Sequence, residues 1–300
     1  MKRICYVGFL ILCLSVCVLA QPNKFPYDKA DMPFNAPAVE RSIVKTCSDE
    51  GTATPAPQKA QNRAKNNFAA TNSPIAIRVT DFDRLEKATL LARKCWANHL
   101  TGCRKLEIDT SSGLPANRQQ LLDIAKTANG ENIGEGTVVV LEAKVLNSHY
   151  SNTKYNIYGF TNSGNPIRGS GESVNCKNNK VDGNDIHIVL AAPGVTNECL
   201  SVTAEITPHF RPDSWRRFHN MKKNQLGENI NLEAKGVNFS NIQMVRLTGP
   251  LFYDASHEPC SPGHSANPAR RSIWEIHPVY KLEVKSGGQW KSFEDWVNSQ

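Results

Sequence analysis

Five short stretches alternate apolar and polar residues, and their order restricts the fold more than any other feature of the chain. They are TVVVLEAKVLN (137–147), DIHIVLA (185–191), LSVTAEITP (200–208), QMVRLTGPLFYD (243–254) and WEIHPVYKLEV (274–284). A period of two places alternate side chains on opposite faces, the mark of a half-buried β-strand. Between the third and fourth lies DSWRRFHNMKKNQLG (213–227). Trp215, Phe218 and Met221 there fall at helical spacing, so it reads as a helix or irregular helical segment. The order β-β-β-α-β-β is the connectivity of an OB-fold, a five-stranded, partly open Greek-key barrel. The expected class is mainly β (α+β): an OB-like barrel over residues 134–300 with a helical N-terminal extension.

The first residues address the compartment. Lys2 and Arg3 precede the apolar run Ile4–Ala20. Residues 1–20 therefore read as a signal peptide cleaved after Ala20, giving a secreted or periplasmic protein. A membrane anchor fits less well, because the run barely reaches spanning length. A lipoprotein through Cys13 or Cys17 lacks the small residue wanted before the cysteine. The mature chain carries no expected transmembrane helix. Cleavage leaves 33 basic against 28 acidic residues, a net charge of +5. That balance permits an anionic partner without demanding one. It also leaves six cysteines, Cys47, Cys95, Cys103, Cys176, Cys199 and Cys260. An even number in an exported chain reads as disulfides, with 15 connectivities open. Cys95 and Cys103 are close enough in sequence to close a local loop. No spacing is that of a zinc ribbon or thioredoxin site.

Residues 21–75 are rich in Pro, Ala, Asn and charge and read as an extended or disordered arm pinned at Cys47. Residues 76–133 form the helical extension. DFDRLEKATLLARKCWANHL (81–100) repeats Phe82, Leu85, Leu90 and Leu91 at helical spacing, and PANRQQLLDIAKTANG (115–130) opens on Pro115 and ends on Gly130.

The segments CSDEGTA, QNRAKN, GESVNC, DIHIVL, VTAEITP, LTGPLFYDASHEPC and WEIHPVYKLEV resemble a group of exported bacterial proteins of uncharacterised function. The likeness spreads over most of the mature chain and implies no activity.

Alternation also assigns faces. Ile186, Ile188, Leu190, Val202, Ala204, Ile206, Trp274 and Ile276 point into the barrel, with Pro278, Tyr280, Leu282 and Val284 on the same side of the last strand. Asp185, His187, Val189, Thr203, Glu205, Thr207, Glu275 and His277 point out, as do Glu142 and Lys144 on the first strand. In the OB order 1-2-3-5-4-1, strands two, three and five are neighbours, about 4.8 Å apart. His187, Glu205, Glu275 and His277 then share one outer face. Two imidazoles and two carboxylates form a ligand set for zinc or another divalent transition metal. The same residues also suit a solvated strand face with cross-strand charge pairs.

Other patterns compete. Asp254, His257, Glu258 and His264 cluster in YDASHEPCSPGH, but position 261 is serine, so HExxH fails and the stretch reads first as a turn. Ser170 in RGSGES lacks the G-x-S-x-G spacing of a nucleophile elbow, and no phosphate-binding loop or dinucleotide fingerprint is present. Arg216, Arg217, Lys222, Lys223, Arg270 and Arg271 are the basic residues for an alternative role in binding single-stranded nucleic acid or another polyanion. A metal-dependent hydrolase is a further alternative, with Glu205 or Glu275 as base. The leading expectation is an exported binding or interaction module with a divalent-metal or small-ligand site on the strand 2-3-5 face. Asn238 begins a glycosylation sequon that matters only in a eukaryote.

Overall fold

The computed structural model describes residues 47–68, 70, 72–151, 157–180, 183–208, 219–223, 229–234, 237–238, 244–266 and 268–299. The expected signal peptide lies outside them. The protein is mainly β, built around a closed five-stranded barrel. Its strands are β1 (Val138–Tyr150), β2 (Ile186–Ala191), β3 (Val202–Ile206), β4 (Val245–Tyr253) and β5 (Trp274–Ile276). The order is β1-β2-β3-β5-β4, and β4 pairs back with β1 to close the ring. This is the expected order 1-2-3-5-4-1. All barrel pairs are antiparallel except β3 and β5, which run parallel.

Closure buries the inward positions. Val139, Leu141, Ala143, Val145, Ile186, Ile188, Leu190, Val202, Ala204, Ile206, Leu247, Leu251, Trp274 and Ile276 join one hydrophobic cluster. Every inward residue expected on strands two and three belongs to it. So do Leu282 and Val284, but the last stretch is not one strand. It breaks after Ile276 and resumes as β6 (Lys281–Ser286), which pairs with β4 and then with β7 (Gln289–Ser292). Pro278 has no N–H to give a ladder, and it interrupts the pairing. The interruption shifts the alternation: Val279, expected outside, joins the core, whereas Tyr280 is only partly buried.

Two corrections fall in the N-terminal segments and a third between β3 and β4. The arm expected to be extended or disordered contains helix α1 (Ala56–Lys65), opened by Pro55. It carries little hydrophobic residue of its own, so tertiary contacts hold it in place. Residues 115–130 were expected to form a helix. They form instead a 3-10 turn at Arg118–Leu121 and a short hairpin pairing Ala125–Lys126 with Asn132–Ile133. The backbone at His219–Lys223, expected helical, is a strand in a three-stranded sheet with Asn229–Ala234 and Val237–Asn238. The expected helix of the 81–100 stretch is present as α2 (Asp81–Ala97). Phe82, Leu85 and Ala92 enter the core from one face, and Asp81 and Asp83 lie at the favourable end of the helix dipole. No helix among the described residues is long and apolar enough to cross a membrane.

Three disulfides join Cys47 to Cys176, Cys95 to Cys103 and Cys199 to Cys260. The second is the local loop expected from spacing. The first ties the start of the described chain to the segment just before β2, across a sequence separation of 129.

Ile188 and Ile276 are fully buried in adjoining parts of the barrel. Truncating either to Ala should lower the unfolding free energy by roughly 2–5 kcal/mol, read from urea denaturation. A loss well under about 1 kcal/mol would contradict the barrel core.

Candidate functional site

The outward residues of β2, β3 and β5 are not solvated, whereas Glu142 on β1 is exposed as expected. Asp185, His187, Glu205, Glu275 and His277 are all buried, as is every residue of β2, β3 and β5. The alternation assigned the two faces correctly, yet both are covered. The cover on the second face is α1 with the turn at Ser173–Asn175. Asn62 donates from Nδ2 to Ser173 Oγ and to the Glu50 carbonyl, each at 2.8 Å. Gln61 Nε2 donates to Ser256 Oγ at 2.7 Å. Gly51 takes φ +55°, and a Cβ there would stand 1.8 Å from the Ser173 carbonyl oxygen. Only glycine permits so close a docking.

Register decides what meets on the covered face. His187 lies opposite Glu205 across β2 and β3, and opposite His149 across β1 and β2. His187 Nε2 is 2.8 Å from Glu205 Oε1. His277, just beyond β5, brings Nε2 to 2.9 Å from Glu205 Oε2 and 3.8 Å from Asp185 Oδ2. Lys65, the last residue of α1, reaches in with Nζ 2.9 Å from Glu172 Oε2 and 3.4 Å from Glu205 Oε2. Three of the four expected metal ligands, His187, Glu205 and His277, therefore converge. Asp185 joins them.

Glu275 does not. It contacts the buried Arg270, which also lies 4.0 Å from Asp254. Asp254 in turn holds His257 Nδ1. The carboxylates of Asp254 and Glu275 and the His257 ring lie close enough to form a second group, with ligand atoms all within 4.8 Å of one another. Asp185, Glu205 and His277 meet the same distance.

The charges are unbalanced. In this cluster the carboxylates of Asp185, Glu205, Asp254 and Glu275 are buried and Glu172 is partly so, whereas its buried permanent cations are Lys65 and Arg270, the buried Arg118 being paired with Glu135. A buried charge without a partner costs several kcal/mol, on the order of the penalty for one desolvated ion. Protons therefore redistribute. Burial disfavours the His277 imidazolium, but Glu205 and Asp185 outweigh that effect and raise its pKa to about 10. Burial, with Glu205 and Asp254 nearby, pushes Glu275 up to about 8 in spite of Arg270. Burial also raises Glu172 against the pull of Lys65. Glu205 goes the other way: His187, Lys65 and His277 overcome its burial and hold its pKa well below the usual range. His149 is desolvated beside His187 and falls to about 3, so it is neutral at physiological pH.

Many of these groups approach one another without hydrogen-bond alignment. His187 Nε2, both Glu205 carboxylate oxygens and both His277 ring nitrogens lack an aligned partner among the described residues. Their polar atoms aim at a shared space. Ligands held about 2.0–2.2 Å from one ion sit roughly 3–3.5 Å apart, and the separations of 2.8, 2.9 and 3.8 Å bracket that spacing. The residues fit a divalent cation.

A cleft of about 500 Å³ reaches this cluster at His187, the one of the four converging residues in its wall. Lys65, His149, Glu172, His187, Asp254 and His257 are in its wall. Its size is that of a small-ligand site. Of the loop residues first read as a turn, Asp254 and His257 belong to the cleft, while Glu258 and His264 are exposed. Neither carboxylate considered as a base is available: Glu275 is tied to Arg270, and Glu205 is shared by two imidazoles and Lys65. Arg118, fully buried, pairs with Glu135 and donates to the Tyr253 carbonyl at 2.6 Å, fixing the end of β4 from which Asp254 projects.

Of the basic residues of the polyanion alternative, the side chains of Arg270 and Arg271 are described, and both are paired with carboxylates. Arg270 is buried against Glu275, and Arg271 donates from Nε to Asp83 at 2.7 Å. Arg216 and Arg217 lie outside the described residues, and of Lys222 and Lys223 only the strand backbone is described.

No known protein family, no curated protein and no solved structure matches this chain.

Two outcomes follow from this arrangement. Replacing Lys65 by Ala strips Glu172 and Glu205 of their common cation and should cost about 3–5 kcal/mol; a change near zero would contradict its place in the cluster. The second concerns pH in chelator-treated protein. The folded-state pKa values of His277 and Glu275 stand above their ordinary values of 6.5 and 4.5. Each group then contributes stability at low pH that is lost as pH rises to the folded value. The urea midpoint should fall between pH 6.5 and about 10, and in His277→Gln the fall should end near pH 8, where Glu275 titrates. A midpoint that rises over that window would contradict the assignment.

Proposed function

We propose that this chain is an exported, disulfide-bonded OB-like barrel that binds a divalent transition metal such as zinc and offers it to a small ligand in the adjoining cleft. Asp185, His187, Glu205 and His277 are the ligands. The observation that carries this reading is the convergence of Asp185, Glu205 and His277, whose ligand atoms all lie within 4.8 Å of one another, with His187 Nε2 2.8 Å from the other carboxylate oxygen of Glu205 and several of these atoms without an aligned partner among the described residues. Excess buried carboxylate supports it, since a dication supplies the charge that protons otherwise supply. Export is supported by the signal-like N-terminus and by three disulfides, which persist in oxidising compartments. Kinship with the exported bacterial group rests on the motifs quoted above. Polyanion binding has less support, because Arg270 and Arg271 are already paired with carboxylates.

Calorimetric titration of the chelator-treated mature protein with zinc and with manganese tests the proposal. Wild type should give a saturable heat at one equivalent per chain. His277→Ala and His187→Ala, checked for folding by circular dichroism, should give none. Equal heats from wild type and both folded variants would contradict the site.

A further inference from the structure

His257 is unlike the other imidazoles of the site. Its side chain is 33% exposed, whereas those of His187 and His277 are 5% and 1%. Its Nδ1 is held by Asp254, a carboxylate that is itself buried and fixed by the Ser256 backbone N–H at 3.1 Å. Arg270 stands 4.0 Å behind that carboxylate. With Nδ1 taken by Asp254, the ring stands in the wall of the cleft together with His187 and Lys65. A carboxylate that fixes one imidazole nitrogen sets the tautomer and orients the other nitrogen to exchange a proton. A turn of chain needs none of this. Gln61 braces the neighbouring Ser256 from α1, and Arg118 braces Gln61 at 3.2 Å. The pair is therefore set in a rigid wall.

We propose that Asp254 and His257 form the proton-transfer pair of a phosphodiester hydrolysis carried out in this cleft. The inference rests on the cation reading of the strand cluster, and the substrate class follows from it. A cation held by carboxylates and imidazoles neutralises the non-bridging oxygens of a phosphoryl group, which the cleft's own carboxylates otherwise repel. His257 Nε2 takes a proton from water as the water oxygen bonds to phosphorus. The bond from phosphorus to the leaving oxygen breaks on the opposite side of phosphorus, and that oxygen takes a proton from solvent, to which His257 returns its own. One water is consumed, and the products are a phosphomonoester and an alcohol. Asp254 acts as a positioning residue that holds the ring and stabilises its protonated form.

The test uses the mature chain loaded with zinc or manganese and bis(4-nitrophenyl) phosphate as the probe. Wild type should release 4-nitrophenolate. His257→Gln should lower turnover by about 10²–10⁴-fold and leave zinc heats and circular dichroism unchanged. Asp254→Asn should lower kcat with KM unchanged, and Asp254→Glu should restore part of it. Should the buried Asp254 variants fail to fold, the partly exposed His257→Gln still decides. Full turnover in folded His257→Gln overturns the inference. So does zinc uptake without phosphodiester cleavage, and so does cleavage of 4-nitrophenyl acetate in place of the phosphodiester; both leave the cation reading intact. Cleavage that needs no metal and survives His277→Ala overturns the cation reading and leaves the proton-transfer pair standing.

Discussion

The interaction on which this structure depends is the burial of carboxylates on the second face of the barrel. A small closed barrel fills its interior with alternate side chains, and here the other set is buried too. Glu205 sits at the centre, reached by His187 and His277 from its own sheet and by Lys65 from α1. Polar side chains survive in that position only with partners. The cover that brings one of those partners therefore has to be held down. Cys47–Cys176 ties it, Gly51 lets its backbone approach Ser173, and Asn62 and Gln61 pin the helix itself. The architecture makes little sense as a support for hydrophobic stability alone, since well-packed apolar residues are often as stabilising as buried ion pairs. It makes sense as a preformed polar site.

Much of the barrel was legible in the sequence. A period of two is enough to place Ile186, Ile188, Val202, Ala204 and Ile206 inside, and the order of strands is enough to make β2, β3 and β5 neighbours. What escaped was cover. Residues 56–65 contain almost nothing apolar, and a helix held by polar contacts to distant residues leaves no periodic trace. Lys65 and Gln61 thus looked like parts of a solvated arm. Glu275 shares parity with His277 but follows a different partner: Arg270 meets it five residues earlier in the chain, and no strand pattern reports a contact made by an irregular segment. Asp185 was visible, having the parity of His187. Asp254 and His257 were seen as a cluster, but the turn residues around them gave no sign that the carboxylate was buried. The last strand misled through Pro278, which breaks the ladder and disturbs the alternation at Val279 and Tyr280 before Leu282 and Val284 resume it.

The same electrostatics separates the functional readings. Of the basic residues that could have served a polyanion, Arg270 and Arg271 are spent on Glu275 and Asp83, and the cleft wall carries carboxylates and imidazoles beside Lys65. Such a wall attracts cations, and it becomes hospitable to a phosphoryl group only once a cation is in place. His149, neutral through desolvation, adds a polar surface without adding charge. His257 stands at the margin between the buried cluster and solvent, which is where proton exchange with water takes place. On the proposed reading, binding falls to residues of the strands and proton transfer to the loop after β4.

The most direct measurement is a crystal structure of the mature protein grown with zinc, with diffraction recorded on both sides of the zinc absorption edge. The account predicts one anomalous peak between β2, β3 and the end of β5. It should lie about 2.0–2.2 Å from ligand atoms of Asp185, His187, Glu205 and His277, with the peak's remaining coordination position facing the cleft. Full occupancy of that space by Lys65 and protonated His277, with no anomalous density there, would contradict the central claim.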